Sequence, residues 1–201
     1  MKNSAYAVPM EKVVRSLTVA LGARDHHTRL HCDRVVQLSN ELGRHIELSE
    51  RELGQLSLGA QFHDLGKIGI PDSVLLKPEA FEAEEWACMK QHVLIGEQIV
   101  LAINGEHSRE IASAVRHHHE HFDGSGYPDR LSGTEIPLYS RIISLTDSYD
   151  AMVETRPYHR PRQHREVMDI LSREAGHKHD PDLPHAFCAV IEKSPMRTSG
   201  D

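Results

Sequence analysis

Histidine stands out in this sequence because it is abundant and falls in a few clusters. The chain has 201 residues, and 16 of them are histidines. The histidines and carboxylates that fall on one helical segment after another are His31, His63, Asp64, His92, His118, His119 and Asp147. Imidazole and carboxylate ligands suit Fe, Mn, Zn, Ni or Co better than calcium or a thiolate-preferring ion. The pattern therefore predicts a metal site.

The size of this ligand set indicates more than one cation. The candidates outnumber the four ligands of a tetrahedral zinc site, so we expect two cations that share a bridging carboxylate, Asp64. Two cations about 3.5–4 Å apart lower the pKa of a shared water and hold the oxygens of a phosphoester during in-line displacement. The sequence thus predicts phosphoester hydrolysis by a hydroxide that bridges two metals.

A lysine follows the His63-Asp64 pair and adds to this prediction. The run GKIGIPD from Gly66 to Asp72 is a tight loop that places Lys67 one turn after the carboxylate. A lysine in that position can contact a phosphate oxygen or a leaving-group oxygen as a positive partner. The alternative is a plain solvated lysine, just as any one of the histidines could be a surface residue. The prediction of a metal site therefore depends on the candidate ligands and Lys67 taken together, and not on any one of them.

Helices must bring these side chains together, because no segment makes a convincing strand. Apolar residues at spacings of three to four predict five helices that carry the candidate ligands, over 28–42, 49–64, 82–101, 108–120 and 137–154. Two C-terminal helices, over 162–174 and 183–193, complete a bundle of roughly seven. Ser49 with Glu52 forms a capping box, and Pro137 suits the first position of its helix. The fold class is all-α, with facing helices that converge on a metal site.

Composition limits where such a protein acts. The net charge is −7 and no apolar run reaches the roughly 18–20 residues of a membrane span, which excludes a membrane protein and argues against binding of a nucleic acid polymer. Cys32, Cys88 and Cys188 lie far apart, as in a reducing cytosol. We expect a cytoplasmic protein in which an N-terminal helix in 1–23 forms a single globular unit with one domain over 24–195, followed by a flexible tail over 196–201.

Two motifs resemble the HD-GYP family, a branch of the HD phosphohydrolase superfamily. They are HDLGKIGIPD from His63 to Asp72 and HHEHFDGSGYP from His118 to Pro128. The resemblance spans roughly 24–190. It implies a bacterial, metal-dependent phosphodiesterase that hydrolyses cyclic di-GMP to the linear dinucleotide pGpG, in some members on to GMP. It also implies a five-helix HD core with added helices and two or three metals, commonly iron or manganese, with Zn, Ni, Co or Mg as alternatives.

The resemblance also assigns roles to individual residues. The metal ligands it implies are His31, His63, Asp64, His92, His118, His119 and Asp147. Lys67 would assist Asp64 near the scissile phosphate. A family segment that binds substrate phosphate, Arg-Pro-Tyr-Lys, corresponds to Arg156, Pro157, Tyr158 and His159 here, so Arg156, Tyr158 and His159 are candidate substrate contacts.

Departures from the family pattern at His27, and at His159 where the family has a lysine, leave alternatives open, as does one loop. His27 stands where members with a third metal have a glutamate, so two metals are expected, although His27 could itself be a ligand. The Gly126-Tyr127-Pro128 loop presents an exposed aromatic, and it either returns the chain beside the metals or, as in the family, docks a diguanylate cyclase (GGDEF) domain. The alternative functions are hydrolysis of another cyclic dinucleotide and a low-activity module that binds cyclic di-GMP or docks a cyclase.

Overall fold

The computed structural model describes residues 10–24, 26–154 and 162–197. Its helices are α1 (Met10–Arg24), α2 (His26–His45), α3 (Glu50–Phe62), α4 (Asp72–Leu75), α5 (Ala83–Met89), α6 (His92–Ile103), α7 (Ser108–His117), α8 (Leu138–Val153), α9 (His164–Glu174) and α10 (Leu183–Ile191). Short 3-10 helices cover Leu65–Gly69 and Gly133–Glu135. These ranges contain no strand beyond one isolated bridge between Ala175 and His179. The all-α prediction is confirmed.

The single helix predicted over 82–101 is wrong, because the chain forms two helices there. The carbonyl of Met89 accepts a hydrogen bond from the His92 ring, and the N–H of Gln91 turns back to the carbonyl of Cys88 at 3.0 Å. This tight turn ends α5 at Met89, and α6 begins at His92. Together with the four-residue α4, the break makes the predicted count of roughly seven helices too low for the described ranges.

Several helix ends follow from local chemistry. The Ser49 capping box is present, with the Glu52 carboxylate accepting from the Ser49 N–H at 2.8 Å. Pro137 is the N-cap of α8 and not its first residue, so the fixed φ of proline precedes the helix. The tight loop predicted after Gly66 is a 3-10 helix that begins at Leu65. Apart from the break before His92, the boundaries that frame the ligands therefore lie close to those predicted.

Two clusters of buried apolar side chains pack together the helices that carry the candidate ligands. The larger cluster joins α2, α3, α8, α9 and α10 through Val35, Leu38, Leu42, Leu56, Ile142, Ile143, Tyr149, Val167, Leu171 and Phe187. A second joins α3, α6 and α7 through Phe62, Leu65, Val100, Ile111, Ala112 and Val115. Each fully buried side chain of this kind stabilises the fold by about 1.5–3 kcal/mol relative to exposure. Among the described helices, none combines the length and the apolar character that a membrane crossing needs.

One glycine contact brings the His63-Asp64 segment against the start of α6. A Cβ atom at Gly66 would lie 1.8 Å from the carbonyl oxygen of His92 and 2.6 Å from the backbone nitrogen of Gly96. Only glycine therefore allows the two backbones to approach this closely. The approach sets Asp64 beside His92.

Candidate metal centre

The predicted ligands come from five parts of the bundle and meet in one centre. His31 lies on α2, and the adjacent pair His63 and Asp64 follows α3. His92 is the first residue of α6. The pair His118 and His119 follows α7, and Asp147 lies on α8. The members are His31, His63, Asp64, His92, His118, His119 and Asp147. All but two have at most 5% of their surface exposed, and those two, His119 and Asp147, are half-buried.

One part of the centre, which we call the acidic half, consists of His31, His63, Asp64 and Asp147. The Nε2 atom of His31 lies 3.0 Å from Oδ1 of Asp147 and 3.3 Å from Nε2 of His63. Oδ2 of Asp64 lies 3.5 Å from Nε2 of His63 and 4.0 Å from Nε2 of His31. The ligand atoms of His31, His63 and Asp64 lie close enough to converge on a single cation, with Asp147 beside them.

The other part, the imidazole half, consists of His92, His118 and His119, which can also converge on one cation. The Nε2 atoms of His92 and His118 are buried and have no hydrogen-bond partner among the described residues. A buried polar atom without a partner destabilises the fold, so these nitrogens fit a cation. Oδ1 of Asp64 lies 3.7 Å from Nε2 of His92, and one carboxylate thus reaches both halves.

Backbone carbonyls fix the orientation of three of the imidazoles. In each case the Nδ1–H donates to the carbonyl three residues earlier. The pairs are His63 with Ala60 (2.7 Å), His92 with Met89 (2.8 Å) and His118 with Val115 (2.7 Å). Because a carbonyl can only accept, Nε2 keeps the lone pair in the neutral ring and faces the centre. Histidine ligands of metals are typically held in this way.

His31 is held by a carboxylate network instead. Its Nδ1 atom lies 2.7 Å from Oδ2 of Asp150, one turn after Asp147 on α8. The Arg34 guanidinium contacts Asp150 through Nε at 2.7 Å and through a terminal nitrogen at 2.9 Å, and it contacts Glu154 at 2.6 Å. Asp150 and Arg34 were not among the predicted site residues. The i, i+3 spacing of the two aspartates on one helix was the available signal.

The Arg34 network also explains a third group that could hold a cation. His31, Asp150 and Glu154 have ligand atoms close enough for metal binding. The guanidinium of Arg34, however, already bonds both carboxylates and supplies their positive partner. We therefore assign the group to the support of His31.

Burial and neighbouring charges divide the imidazoles by protonation state. Burial lowers the pKa of His118 to about 3 and holds the pKa of His119 well below its usual range, so both rings are neutral near pH 7. Burial also acts against a charge on His31, but hydrogen bonds to Asp147 and Asp150 raise its pKa to about 9. The imidazole half thus offers neutral nitrogen ligands, whereas the acidic half is an ion-pair network.

The carboxylates of the acidic half are ionised. Burial opposes the charge on Asp64, yet Lys67 and the nearby imidazoles hold its pKa well below the usual range. The Nζ atom of Lys67 lies 2.6 Å from Oδ2 of Asp64, and the lysine side chain is 25% exposed. Lys67 is therefore a paired, largely buried cation, and its interpretation as a plain solvated lysine is wrong.

The loop after α7 folds against the centre. A Cβ atom at Gly126 would lie 2.2 Å from the backbone nitrogen of His121 and 2.5 Å from Cα of Glu120, so only glycine fits. The N–H of Tyr127 donates to the carbonyl of His119 at 3.2 Å, and the two rings pack with centroids 5.0 Å apart. Tyr127 is half-buried, so the exposed aromatic predicted here is wrong.

A cleft of about 390 Å³ opens onto both halves of the centre. Its polar floor is formed by His31, Asp64, Lys67, His92, His119 and Asp147, and its walls by Leu75, Phe81, Trp86, Met89, Tyr127 and Ala151. Arg156, Tyr158 and His159, the predicted substrate contacts, lie outside the described residues, as does the side chain of His27. Gly126 is buried and Pro128 is half-buried at the edge of the loop.

An all-α bundle with a buried histidine and aspartate centre, begun by an adjacent His-Asp pair at a helix end, defines the class of HD-domain proteins. The HD domain family model matches residues 14–183, and the chain belongs to this family. Within it, the resemblance to the metal-dependent HD-GYP branch is confirmed.

Similar proteins include a cyclic di-GMP phosphodiesterase of Thermotoga maritima, which is 38% identical over 88% of this chain and 48% of its own length. A 3'3'-cGAMP-specific phosphodiesterase 2 of Vibrio cholerae is 34% identical over 86% of this chain and 33% of its own. A solved HDG"Y"P protein from Bdellovibrio bacteriovorus shares the fold, with a TM-score of 0.64 and 20% identity over 81% of this chain and 51% of its own. The chain spans between a third and a half of the length of the two curated relatives.

Proposed function

We propose that this chain is a cyclic di-GMP phosphodiesterase that produces the linear dinucleotide pGpG, with GMP as a further product. The observation that supports it most is the pair of ligand groups that share Asp64, one of which leaves buried imidazole nitrogens without a partner. The Thermotoga relative carries the same activity in its name. The bacterial, cytoplasmic setting stays a prediction.

Two divalent cations, iron or manganese, fit the donors of the centre. The acidic half would hold one of them and the imidazole half the other, with Asp64 as a ligand of both. When bound, such cations supply Lewis acidity that lowers the pKa of a water molecule and neutralises charge on a phosphodiester. The hydrogen bonds from Nδ1 of His63, His92 and His118 to backbone carbonyls orient their Nε2 atoms toward the centre, where they would bind the cations.

The chain itself supplies a cation and the shape of the site. In hydrolysis, a water oxygen bonds to phosphorus, the bond from phosphorus to the 3′ oxygen breaks, and that oxygen takes a proton. Lys67 faces the cleft, and the neighbouring carboxylate Asp64 raises its pKa although burial opposes the charge, so it stays protonated. The ammonium can stabilise the negative charge that develops on the phosphoryl oxygens. It cannot serve as a base at neutral pH.

The test is hydrolysis of a panel of cyclic dinucleotides by the purified, metal-loaded chain. We expect turnover of cyclic di-GMP, with pGpG as the first product seen by chromatography. Asp64→Ala should abolish metal loading and hydrolysis, while Asp33→Ala, at an exposed carboxylate on α2, should change neither. Failure of the loaded wild-type chain to hydrolyse any member of the panel would overturn the proposal.

A second candidate function is hydrolysis of a hybrid cyclic dinucleotide. The Vibrio relative named for 3'3'-cGAMP favours it. The same panel separates the two, since turnover of 3'3'-cGAMP with cyclic di-GMP inert would replace the first proposal by the second.

A docking role for Gly126, Tyr127 and Pro128 toward a cyclase domain also stays a prediction, as does a low-activity binding module. Asp64→Ala distinguishes such a module from an enzyme, because partner binding would survive the loss of the metals. The packing of Tyr127 on His119 supports the other reading of this loop, in which it returns the chain beside the centre.

A further inference from the structure

We propose that Phe81, Trp86 and Tyr127 form an aromatic shelf that stacks a guanine base of the substrate. The inference rests on the proposed function, because it names the part of the nucleotide that the cleft wall binds. No ligand of the metal centre belongs to the shelf, and Trp86 was not among the residues to which the sequence assigned a role.

A row of rings leads from the metal centre to the outer wall of the cleft. The Tyr127 ring packs on His119 with centroids 5.0 Å apart, and Trp86 meets Tyr127 edge to face at 6.3 Å. Phe81 then stacks on Trp86 at 6.0 Å with the ring planes 24° apart. All of these rings line the same cleft as Asp64. A base attached to a phosphate at the centre would therefore lie against this row.

Trp86 has the exposure of a binding residue. It lies on α5 with 45% of its surface exposed, and among the large apolar side chains that the described ranges expose it is the one aromatic. Its exposed surface borders a cleft with a cationic and metal-binding floor, which suits a ligand that joins an aromatic base to a phosphate.

A second lysine favours guanine among the bases. The Nζ atom of Lys90 lies 5.5 Å from the Trp86 ring centroid and 5.2 Å from the Tyr127 ring centroid, so cation–π attraction holds it beside the shelf. Guanine presents two adjacent acceptors, O6 and N7, whereas adenine presents one acceptor and one donor on the same edge. An ammonium group has only donors and therefore pairs better with guanine.

Trp86 is the one tryptophan of the chain, so its fluorescence tests the shelf directly. The metal-loaded full chain is titrated with GMP, AMP and ribose 5-phosphate, with correction for absorption by the bases. We expect GMP to quench the fluorescence, AMP to do so more weakly, and ribose 5-phosphate to have no effect. Equal effects of GMP and ribose 5-phosphate, or none from either, would overturn the shelf. Equal quenching by AMP and GMP would overturn the guanine preference.

Substitution gives a second, kinetic test. Trp86→Ala should raise the KM for the cyclic dinucleotide about ten- to a hundredfold and change kcat by less than about threefold, because stacking of a base is lost while the centre is intact. Trp86→Phe should recover most of the loss. Leu101→Ala, at an exposed apolar residue of α6 outside the cleft, is the matched control and should leave KM unchanged.

The outcomes separate this inference from the proposed function. Quenching by GMP in a chain that hydrolyses no cyclic dinucleotide would overturn the function and support the shelf. Hydrolysis with an unchanged KM in Trp86→Ala would overturn the shelf and support the function. A fall in kcat with an unchanged KM would also overturn the shelf, since Trp86 would then act on the centre and not on the base.

Discussion

The two halves of the centre differ in whether protein groups alone can satisfy them. In the acidic half His31 contacts Asp147 and Asp150, and Asp64 contacts Lys67. In the imidazole half the buried Nε2 atoms have no such partner within the described part of the chain. The acidic half can therefore form as an ion-pair network without a cation, whereas the imidazole half is incomplete until a ligand enters.

The halves also differ in charge. Asp64 and Asp147 are balanced by Lys67 and by the protonated ring of His31, so the acidic half is close to neutral without metal. The imidazole half contains no carboxylate of its own, but Oδ1 of Asp64 lies 3.7 Å from Nε2 of His92. Asp64 is thus the carboxylate that the two halves share.

Among substitutions confined to one half of the centre, the largest effect should follow loss of an imidazole ligand. His118→Ala removes a buried nitrogen that only a cation completes, so we expect the metal content to fall from two ions to one and hydrolysis to fall about a thousandfold. Elemental analysis and steady-state kinetics measure both. His117→Ala, at the preceding residue, which pairs with Asp129 outside the centre, is the control. Retention of two ions in His118→Ala would contradict the assignment of His118 as a ligand on which the second cation depends.

Loss of the support behind the acidic half should have a smaller effect. Asp150→Asn weakens the hold on His31 and removes the charge that Arg34 balances. Residues that orient metal ligands typically contribute about 10–100-fold to metal affinity or activity, and we expect a loss in that range. Metal titration should show weaker binding of one ion only. Weaker binding of both ions would contradict the division into two halves, and Asp169→Asn, at an exposed aspartate of α9, serves as the control.

Without metal, a substitution in the acidic half should lower the free energy of unfolding, whereas one in the imidazole half should leave it unchanged or raise it. Asp64→Asn leaves the ammonium of Lys67 without its carboxylate, and we expect the free energy of unfolding to fall by about 1–3 kcal/mol, less than for a fully buried pair because Lys67 is 25% exposed. His118→Leu removes an unpartnered buried nitrogen and should be neutral or stabilising. Urea denaturation in the presence of a chelator measures the free energy of unfolding of both variants. Equal destabilisation by the two substitutions would contradict the difference between the halves.

The sequence predicts which residues form the two halves better than it predicts the helix break and the supporting network around them. Spacing along the chain places His63 and Asp64 at a helix end and Asp147 on an apolar helix, because each pattern is local. The break before His92 was missed, since the apolar period continues through it and the cause is a ring-to-backbone bond together with the close approach of Gly66. The Arg34–Asp150 network joins α2 to α8 across more than a hundred residues, which no local pattern encodes.

An exposed ion pair next to the centre shows how much burial contributes to these effects. Arg116 bonds Asp129 through Nε at 2.6 Å and through a terminal nitrogen at 2.9 Å, and this contact lowers the pKa of Asp129 to about 2. A carboxyl whose folded pKa lies below its unfolded value of about 3.9 adds stability above that value and loses it as the pH falls toward 2.

Because the Asp129 side chain is 36% exposed, screening by water limits the contribution to about 0.5 kcal/mol. Asp129→Asn should therefore be slightly less stable than the wild type at pH 6 and equally stable near pH 2, in denaturation series compared at each pH. A loss at pH 6 as large as that of metal-free Asp64→Asn would mean that burial does not distinguish the two carboxylates. In that case the acidic half would owe its stability to charge pairing alone, and its low exposure would have no energetic role.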